Sequence, residues 1–218
     1  METGLPRRPE AVIFDLDGTL LDSERLLIEG HTAAAAKLGV PMDAARLGAM
    51  VGQSRASNDA SLRGWLGAVS LDDYRAELTS ILADRVAALK PGALELLDHL
   101  DALGLPYALA TSAGPPWVER HFTAHGLHRR FRATVTRADV RFHKPHPEPY
   151  RVAAARLGHA PQHVLALEDS PAGLRSAYEA GTMAVLVPDL LEPDAASRAC
   201  ALRVVGSLHE VLAMLGGQ

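Results

Sequence analysis

The stretch that decides the fold is AVIFDLDGTLLDSE, at residues 11–24. It begins with four apolar residues, Ala11–Phe14, a length and composition typical of a strand that is buried on both faces. Two aspartates, Asp15 and Asp17, follow the apolar run directly. A buried strand that ends in polar residues indicates a parallel sheet with a ligand site at the carboxyl end of its strands.

Similar apolar runs recur downstream and alternate with amphipathic stretches. This alternation predicts an α/β fold, a Rossmann-like parallel sheet covered by helices on both faces in three layers. A glycine stands near the end of each predicted helix, where the helix should stop. The further strands are predicted at 106–111, 133–136, 163–167 and 183–187, and the helices at 92–103, 116–126, 148–157 and 172–180.

One long segment, residues 22–90, interrupts the alternation. Its stretches have helical periodicity, and none of them is a strand candidate. Pro91 and Gly92 then mark the return to the α/β pattern. We therefore predict an inserted α-helical cap at 22–90 and a Rossmann-like core made of residues 1–21 and 91–218.

Composition limits the classes of protein to which the chain can belong. Its 218 residues are 48% hydrophobic and 22% charged, which indicates a globular protein and excludes a collagenous or disordered one. The formal net charge of −4 favours a small-molecule partner over nucleic acid or an anionic membrane. The single Cys200 cannot form an internal disulfide and is expected to fill a small apolar space. We expect no secretory signal or membrane span, and hence a cytoplasmic location.

The polar residues that follow the predicted strands should converge at one edge of the sheet. They comprise four carboxylates, two hydroxyls and one lysine, namely Asp15, Asp17, Thr111, Ser112, Lys144, Glu168 and Asp169. Carboxylates this close repel one another unless a cation neutralises them, and a site made of oxygen ligands alone suits Mg²⁺. Magnesium beside a lysine indicates a phosphate substrate, because both neutralise phosphoryl oxygens. Asp15 is then placed to attack phosphorus and Asp17 to move the proton.

Each of these residues taken singly also has a purely structural interpretation. Asp17, Thr111–Ser112 and Asp169 could cap turns or helices, and Lys144 could be a solvated loop residue. Their occurrence at four separate strand ends favours a phosphate site over these alternatives.

Four motifs identify a family to which the chain is similar: DLDGTLLDSE at 15–24, ATSAG at 110–114, HKPHPEPY at 143–150 and LEDSPAG at 167–173. With these motifs in this order, nearly the whole chain resembles the haloacid dehalogenase superfamily, and most of all its capped phosphosugar phosphatases and β-phosphoglucomutases. The resemblance implies that Asp15 forms an aspartyl-phosphate and that Asp17 is the general acid and base. Dehalogenase members lack the second aspartate, so its presence favours phosphoryl chemistry.

The resemblance also implies roles for the remaining motif residues. Thr111, or Ser112 beside it, would bind a phosphoryl oxygen, and Lys144 would neutralise the nucleophile and the phosphate. The implied ligands of Mg²⁺ are Asp15, the backbone carbonyl of Asp17, Asp169 and, in or next to the coordination shell, Glu168.

The cap is expected to select the leaving group of the substrate. In the β-phosphoglucomutase-like subgroup, a pattern similar to MVGQSRAS at 50–57 presents an arginine to the substrate. The resemblance therefore implies that Arg55 contacts the substrate from a loop shaped by Gly52, Gln53 and Ser54. A solvated arginine at a helix start is the other interpretation.

Departures from the mutase pattern bear on the acceptor of the phosphoryl group. Leu27 stands where β-phosphoglucomutases have a histidine that assists the second transfer, and no lysine lies between Lys37 and Lys90 to act as their cap lysine. Arg75 or Arg85 could stand in for that lysine. Water is therefore the favoured acceptor, and we predict a Mg²⁺-dependent phosphatase of small phosphomonoesters, sugar phosphates above all.

Two alternatives stay open: a β-phosphoglucomutase-type phosphomutase, and a non-catalytic module that binds phosphorylated metabolites. The sequence leaves the oligomeric state open, and a monomer is compatible with it.

Two further pairs of side chains stand out. His121 and His125 have a spacing that can bind zinc on a helix, but no third ligand accompanies them, so we expect them on a surface face. Trp65 and Trp117 are expected to be packing residues.

Overall fold

The computed structural model describes residues 5–216 except residues 52 and 54. Its strands are β1 Ala11–Phe14, β2 Tyr107–Ala110, β3 Ala133–Val135, β4 Val164–Glu168, β5 Met183–Leu186 and β6 Arg203–Val204. They form one parallel sheet in the order β3-β2-β1-β4-β5-β6. The predicted Rossmann-like α/β fold is confirmed.

The sheet is buried on both faces, as the apolar runs predict. In β1, Val12 and Phe14 belong to one apolar cluster, whereas Ala11 and Ile13 belong to another. Successive side chains of a strand point to opposite faces, so these two clusters lie on the two sides of the sheet. Every side chain of β1 is buried, because the strand lies at the centre of the sheet between β2 and β4.

One strand was not predicted. β6 has only two residues, Arg203 and Val204, and both are exposed. It pairs with β5 at the edge of the sheet. An exposed two-residue strand carries no apolar run, and therefore gives no signal in the sequence.

The described part of the segment 22–90 is helical, as predicted. Its helices are α1 Glu24–Lys37, α2 Ala44–Met50, α3 Arg55–Trp65 and α4 Leu71–Leu82. They surround an apolar cluster of their own, which includes Ala34, Leu62 and Tyr74. These helices form the inserted cap, and the boundaries at 22 and 90 stay a prediction.

The remaining helices cover the two faces of the sheet. They are α5 Ala93–Ala102, α6 Pro115–His125, α7 Glu148–Leu157, α8 Pro171–Ala180, α9 Ala195–Cys200 and α10 Leu208–Gly216. Helices α5, α6 and α10 contribute to the cluster on one face, and α7 and α8 to the other. The predicted stops are confirmed at Gly126, Gly158 and Gly181. Within the described part of the chain, no helix combines the length and apolarity needed to cross a bilayer.

The chain passes between core and cap at two neighbouring points. The Asp22 N–H donates to the Ala88 carbonyl at 2.8 Å, and the Lys90 N–H donates to the Leu20 carbonyl at 2.9 Å. Two short segments joined in this way are suited to act as a hinge between two packed bodies.

Candidate active site

The carboxyl ends of three adjacent strands bring the predicted site residues together. Asp15 follows β1, Thr111 follows β2, and Glu168 ends β4 with Asp169 directly after it. The order β2-β1-β4 places these ends side by side. Because β2 and β4 leave β1 in opposite directions, this is a topological switch point of the sheet, where ligands bind in open α/β folds.

Lys144 enters this site from the loop before α7. Its Nζ donates to Asp15 Oδ1 and, at 2.5 Å, to Glu168 Oε1. Burial lowers the pKa of Lys144, but the two carboxylates outweigh that effect and raise it overall, so the side chain is a cation. Lys144 is only 8% exposed, which rules out the interpretation of a solvated loop residue.

Glu168 holds the lysine from the interior of the protein. It is fully buried, and its Oε1 also accepts a hydrogen bond from the Tyr150 hydroxyl at 2.6 Å. The Ser170 hydroxyl donates to Oε2 at 3.1 Å. Gly173 provides the space, because a Cβ at that position would lie 1.9 Å from Oε1. Both oxygens of the buried Glu168 carboxyl group are thus hydrogen bonded.

A group of three carboxylates is suited to bind a metal ion. One oxygen each of Asp15, Glu168 and Asp169 lies within 4.8 Å of the others. The Thr19 hydroxyl orients Asp169 by donating to Oδ1 at 3.0 Å. Gly18, with φ of 84°, makes room for the carboxylate, since a Cβ there would lie 2.2 Å from Asp169 Oδ2.

The pKa values of Asp15 and Asp169 are both raised in this group. Burial is the main cause and, with Glu168 and Asp17 nearby, raises the pKa of Asp15 to about 8 against the opposing effect of Lys144. Burial, Asp15 and Glu168 also raise the pKa of Asp169 well above its usual value. A divalent cation would lower both values and restore the ionised forms. An all-oxygen donor set of this kind fits Mg²⁺.

The carboxyl group of Asp17 is not one of the three carboxylates of the metal-ligand group. Its Oδ1 accepts hydrogen bonds from the Ser23 hydroxyl at 2.7 Å and from Trp117 Nε1 at 3.0 Å. Burial raises the pKa of Asp17, although these two hydrogen bonds act in the opposite direction. A carboxyl group with a raised pKa keeps its proton to a higher pH than a free carboxyl group, as a general acid requires.

The two hydroxyls predicted to bind phosphate differ in their surroundings. Thr111 is buried, and its Oγ1 accepts a hydrogen bond from the Ala113 N–H at 3.0 Å. Because that bond uses the oxygen as acceptor, the hydroxyl proton of Thr111 stays available to a ligand. Ser112 is exposed. The geometry therefore favours Thr111 over Ser112.

The predicted substrate loop of the cap is described only in part. Gly52 and Ser54 lie outside the described residues, and Arg55 is the first residue of α3. Gln53 is exposed. A contact between Arg55 and the substrate stays a prediction.

The two arginines considered as substitutes for a cap lysine have partners within the cap. Arg75 forms an ion pair with Asp59, and Arg85 with Glu29 at 2.6 Å. Both guanidinium groups are therefore engaged away from the core motifs.

The expectation that His121 lies on a surface face was wrong. His121 is fully buried, and its Nε2 accepts a hydrogen bond from the Ala87 N–H at 3.1 Å. Its Nδ1 must then carry the proton, which it donates to the Trp117 carbonyl at 2.8 Å. His125 binds the carbonyl of the same Ala87 at 2.8 Å. The pair thus holds the segment that returns from the cap to the core.

Two residues near the site were given no chemical role from the sequence. Trp117, expected only to pack, donates its indole N–H to Asp17. Glu24 lies at the start of α1, where burial, with Asp17 and Asp189 nearby, raises its pKa to about 7. Glu24 belongs to the first motif, so its position in the sequence could have indicated a role. Trp117 has no such signal, because its hydrogen-bond partner Asp17 is 100 residues away in the sequence.

The chain is similar to known proteins over most of its length. A family profile described as "Haloacid dehalogenase-like hydrolase" matches residues 12–187. Hexitol phosphatase A of Escherichia coli (strain K12) is 33% identical over 186 residues, which cover 83% of each chain. Validoxylamine A 7'-phosphate phosphatase of Streptomyces hygroscopicus subsp. limoneus is 33% identical over 183 residues, covering 81% of this chain and 84% of that protein.

A solved structure shows the same fold. The crystal structure of CbbY from Rhodobacter sphaeroides in complex with phosphate superimposes with a TM-score of 0.78 at 28% identity. The match covers 95% of this chain and 99% of that one. It therefore extends over both the sheet and the helical insertion.

Proposed function

The chain belongs to the haloacid dehalogenase-like hydrolases and is a phosphoric monoester hydrolase, and we propose that it hydrolyses small sugar or polyol phosphates with Mg²⁺ through an aspartyl-phosphate on Asp15. The observation that carries the proposal is the buried contact of Lys144 with both Asp15 and Glu168, next to Asp169. Two relatives, named as a hexitol phosphatase and as a validoxylamine A 7'-phosphate phosphatase, support the substrate class.

Substrate binding requires groups that neutralise a phosphoryl dianion. The Lys144 ammonium lies at the nucleophile, and the Thr111 hydroxyl stands at the neighbouring strand end. Both groups are buried and preorganised, so they change position little when charge develops on the phosphoryl oxygens. When bound by Asp15, Glu168, Asp169 and the carbonyl of Asp17, Mg²⁺ would neutralise further phosphoryl charge and lower the pKa of Asp15.

In the first step, a carboxylate oxygen of Asp15 forms a bond to phosphorus as the bond from phosphorus to the ester oxygen breaks. Asp17 donates its proton to the departing oxygen, so the alcohol leaves in neutral form. The raised pKa of Asp17 is in the direction that this role requires, and the Trp117 and Ser23 hydrogen bonds hold its carboxyl group in place.

In the second step, water attacks the phosphorus of the aspartyl-phosphate. Asp17, now a carboxylate, takes a proton from that water, and the carboxylate of Asp15 is released together with inorganic phosphate. Closure of the cap at the paired segments near Asp22 and Ala88 would exclude bulk water from the first step.

A phosphomutase is the second candidate, since β-phosphoglucomutases carry similar core motifs. Leu27, which replaces their histidine, has no group that can transfer a proton. The engagement of Arg75 and Arg85 within the cap also removes the substitutes for their lysine. Both observations favour water as the acceptor.

The experiment that tests the proposal measures phosphate release from a panel of phosphomonoesters that includes hexitol phosphates and hexose 1- and 6-phosphates, with Mg²⁺ or with chelator. We expect Mg²⁺-dependent hydrolysis of a few polyol or sugar phosphates, and none by Asp15→Asn. Conversion of β-glucose 1-phosphate to glucose 6-phosphate with added bisphosphate would instead establish the mutase. Binding without turnover would establish the non-catalytic module.

The domain boundaries belong to the same proposal. A core of residues 1–21 and 91–218 with a cap at 22–90 is supported by the backbone pairing of residues 20–22 with 88–90. The cytoplasmic location stays a prediction.

A further inference from the structure

We propose that Trp117 is a positioning residue that holds the carboxyl group of Asp17 in the orientation needed for proton transfer to the leaving group. This inference rests on the proposed function, because it requires Asp17 to be the general acid. It adds a residue that lies outside the four core motifs and that the sequence marked only for packing.

The contact is directional. Trp117 Nε1 donates to Asp17 Oδ1 at 3.0 Å, and the Ser23 hydroxyl donates to the same oxygen at 2.7 Å. Within the described part of the chain, both hydrogen bonds to this carboxyl end on Oδ1. Oδ2 is therefore the oxygen that can carry the proton to the ester oxygen.

The two donors belong to different parts of the molecule. Ser23 directly precedes α1, on the cap side of the first crossing, whereas Trp117 lies in α6 of the core. If the cap moves as a body, Ser23 moves with it and Trp117 stays. Trp117 is thus the donor that can hold Asp17 whether the cap is open or closed.

The indole itself is held firmly. Its ring packs against the His121 ring with centroids 4.4 Å apart, and the Arg120 guanidinium lies 5.2 Å from its centroid. The Trp117 carbonyl accepts the Nδ1 proton of His121, whose other nitrogen binds the Ala87 N–H. A side chain fixed on both ring and backbone can orient its hydrogen-bond partner without an added entropic cost.

The chemical consequence depends on the leaving group. An alkoxide is strongly basic, so its departure from phosphorus requires the proton of Asp17, whereas 4-nitrophenolate leaves without one. General acids contribute about 10²- to 10⁴-fold to such steps. Loss of orientation without loss of the acid should cost part of this, about tenfold, and only for the alkyl ester.

The test compares Trp117→Phe with Trp65→Phe as the matched control. Trp65 lies in the cap, where its ring contacts Arg46 and not Asp17. Two probes are used with Mg²⁺: a hexitol 6-phosphate, and 4-nitrophenyl phosphate followed over the first turnover. For Trp117→Phe we expect kcat on the hexitol phosphate to fall about tenfold with KM within about twofold, and the first release of 4-nitrophenolate to change less than about twofold. Trp65→Phe should leave both rates unchanged.

A second variant separates the N–H from the packing of the ring. In the Trp65→Phe background, the remaining tryptophan is replaced by β-(benzothien-3-yl)alanine, in which sulfur takes the place of the indole N–H. We expect the same selective loss, with an unchanged midpoint of urea unfolding. Native turnover of the hexitol phosphate by this protein would overturn the inference.

The variant Asp17→Asn distinguishes the failure of this inference from the failure of the proposed function. If Asp17→Asn hydrolyses the hexitol phosphate at the native rate, Asp17 is not the general acid and both proposals fall. If Asp17→Asn is inactive while Trp117→Phe keeps the native kcat, only the inference about Trp117 is wrong. The same holds if Trp117→Phe loses activity on the two probes by the same factor.

Discussion

The ammonium of Lys144 donates to Glu168 Oε1 at 2.5 Å in the interior of the protein, while the same nitrogen contacts the nucleophile Asp15. Glu168 is fully buried and Lys144 nearly so. One lysine thus compensates two buried carboxylates, and the stability of the fold is tied to the charge balance of the site.

Replacement of Lys144 should therefore reduce stability as well as activity. Lys144→Met leaves two buried carboxylates without their cation, and we expect a loss of about 3–5 kcal/mol in the free energy of unfolding. Urea unfolding at pH 8 with chelator measures it. The matched control is Lys37→Met, because Lys37 is exposed and pairs with Glu77 at the surface. That change should cost less than about 1 kcal/mol, and equal losses in the two variants would contradict the account.

Gly173 should tolerate no side chain. Gly173→Ala places a Cβ 1.9 Å from Glu168 Oε1, so the carboxylate must move away from Lys144. We expect turnover to fall by more than about tenfold, and the helix to gain nothing from alanine, which normally adds about 0.5–1 kcal/mol.

Gly64 provides the control for this substitution. It lies within α3, and a Cβ added there would meet no atom within 4 Å. Gly64→Ala should keep native turnover and gain stability. If Gly173→Ala behaves like Gly64→Ala, the close packing of Glu168 does not matter to the site.

Stability should depend on pH in a direction set by the metal-ligand group. The pKa of Asp15 is about 8 in the folded protein, above its value of 3.8 in an unfolded chain. The folded state thus binds more protons, and this stabilisation is fully present below about pH 4 and lost as pH rises through about 8. In chelator we expect the free energy of unfolding to fall between pH 5 and 8, by up to about 1.4 kcal/mol per pH unit for each proton concerned.

Urea unfolding at several pH values with chelator checks this dependence. Asp15→Asn removes one of the titrating groups and leaves Asp169, so it should make the curve less steep. Added Mg²⁺ should also flatten it, since a bound cation lowers the pKa of its ligands. A stability that rises from pH 5 to 8 in chelator would contradict the charge arrangement.

Much of the fold and of the site follows from local patterns. The apolar run Ala11–Phe14 predicts a buried strand, and the aspartates that follow it predict the position of the site, because both depend only on neighbours in the chain. Lys144 and Asp169 were predicted in the same way, from the residue types that follow or precede regular elements.

The rest depends on contacts between distant residues. The indole of Trp117 reaches Asp17 because α6 and β1 contribute to the same apolar cluster on one face of the sheet. The sequence separation of 100 residues hides that contact. His121 was placed on the surface although Val118 and Phe122 beside it on α6 are buried. Those two apolar neighbours were the signal that could have corrected the prediction.

The central claim is that Asp15 becomes phosphorylated during turnover. Rapid acid quench of the Mg²⁺-loaded enzyme with a hexitol phosphate, followed by mass spectrometry of the peptide that contains Asp15 and Asp17, tests it directly. We expect one phosphoryl group on Asp15, absent from Asp15→Asn and from enzyme treated with chelator. A phosphoryl group on another residue, or native turnover by Asp15→Asn, would contradict the mechanism.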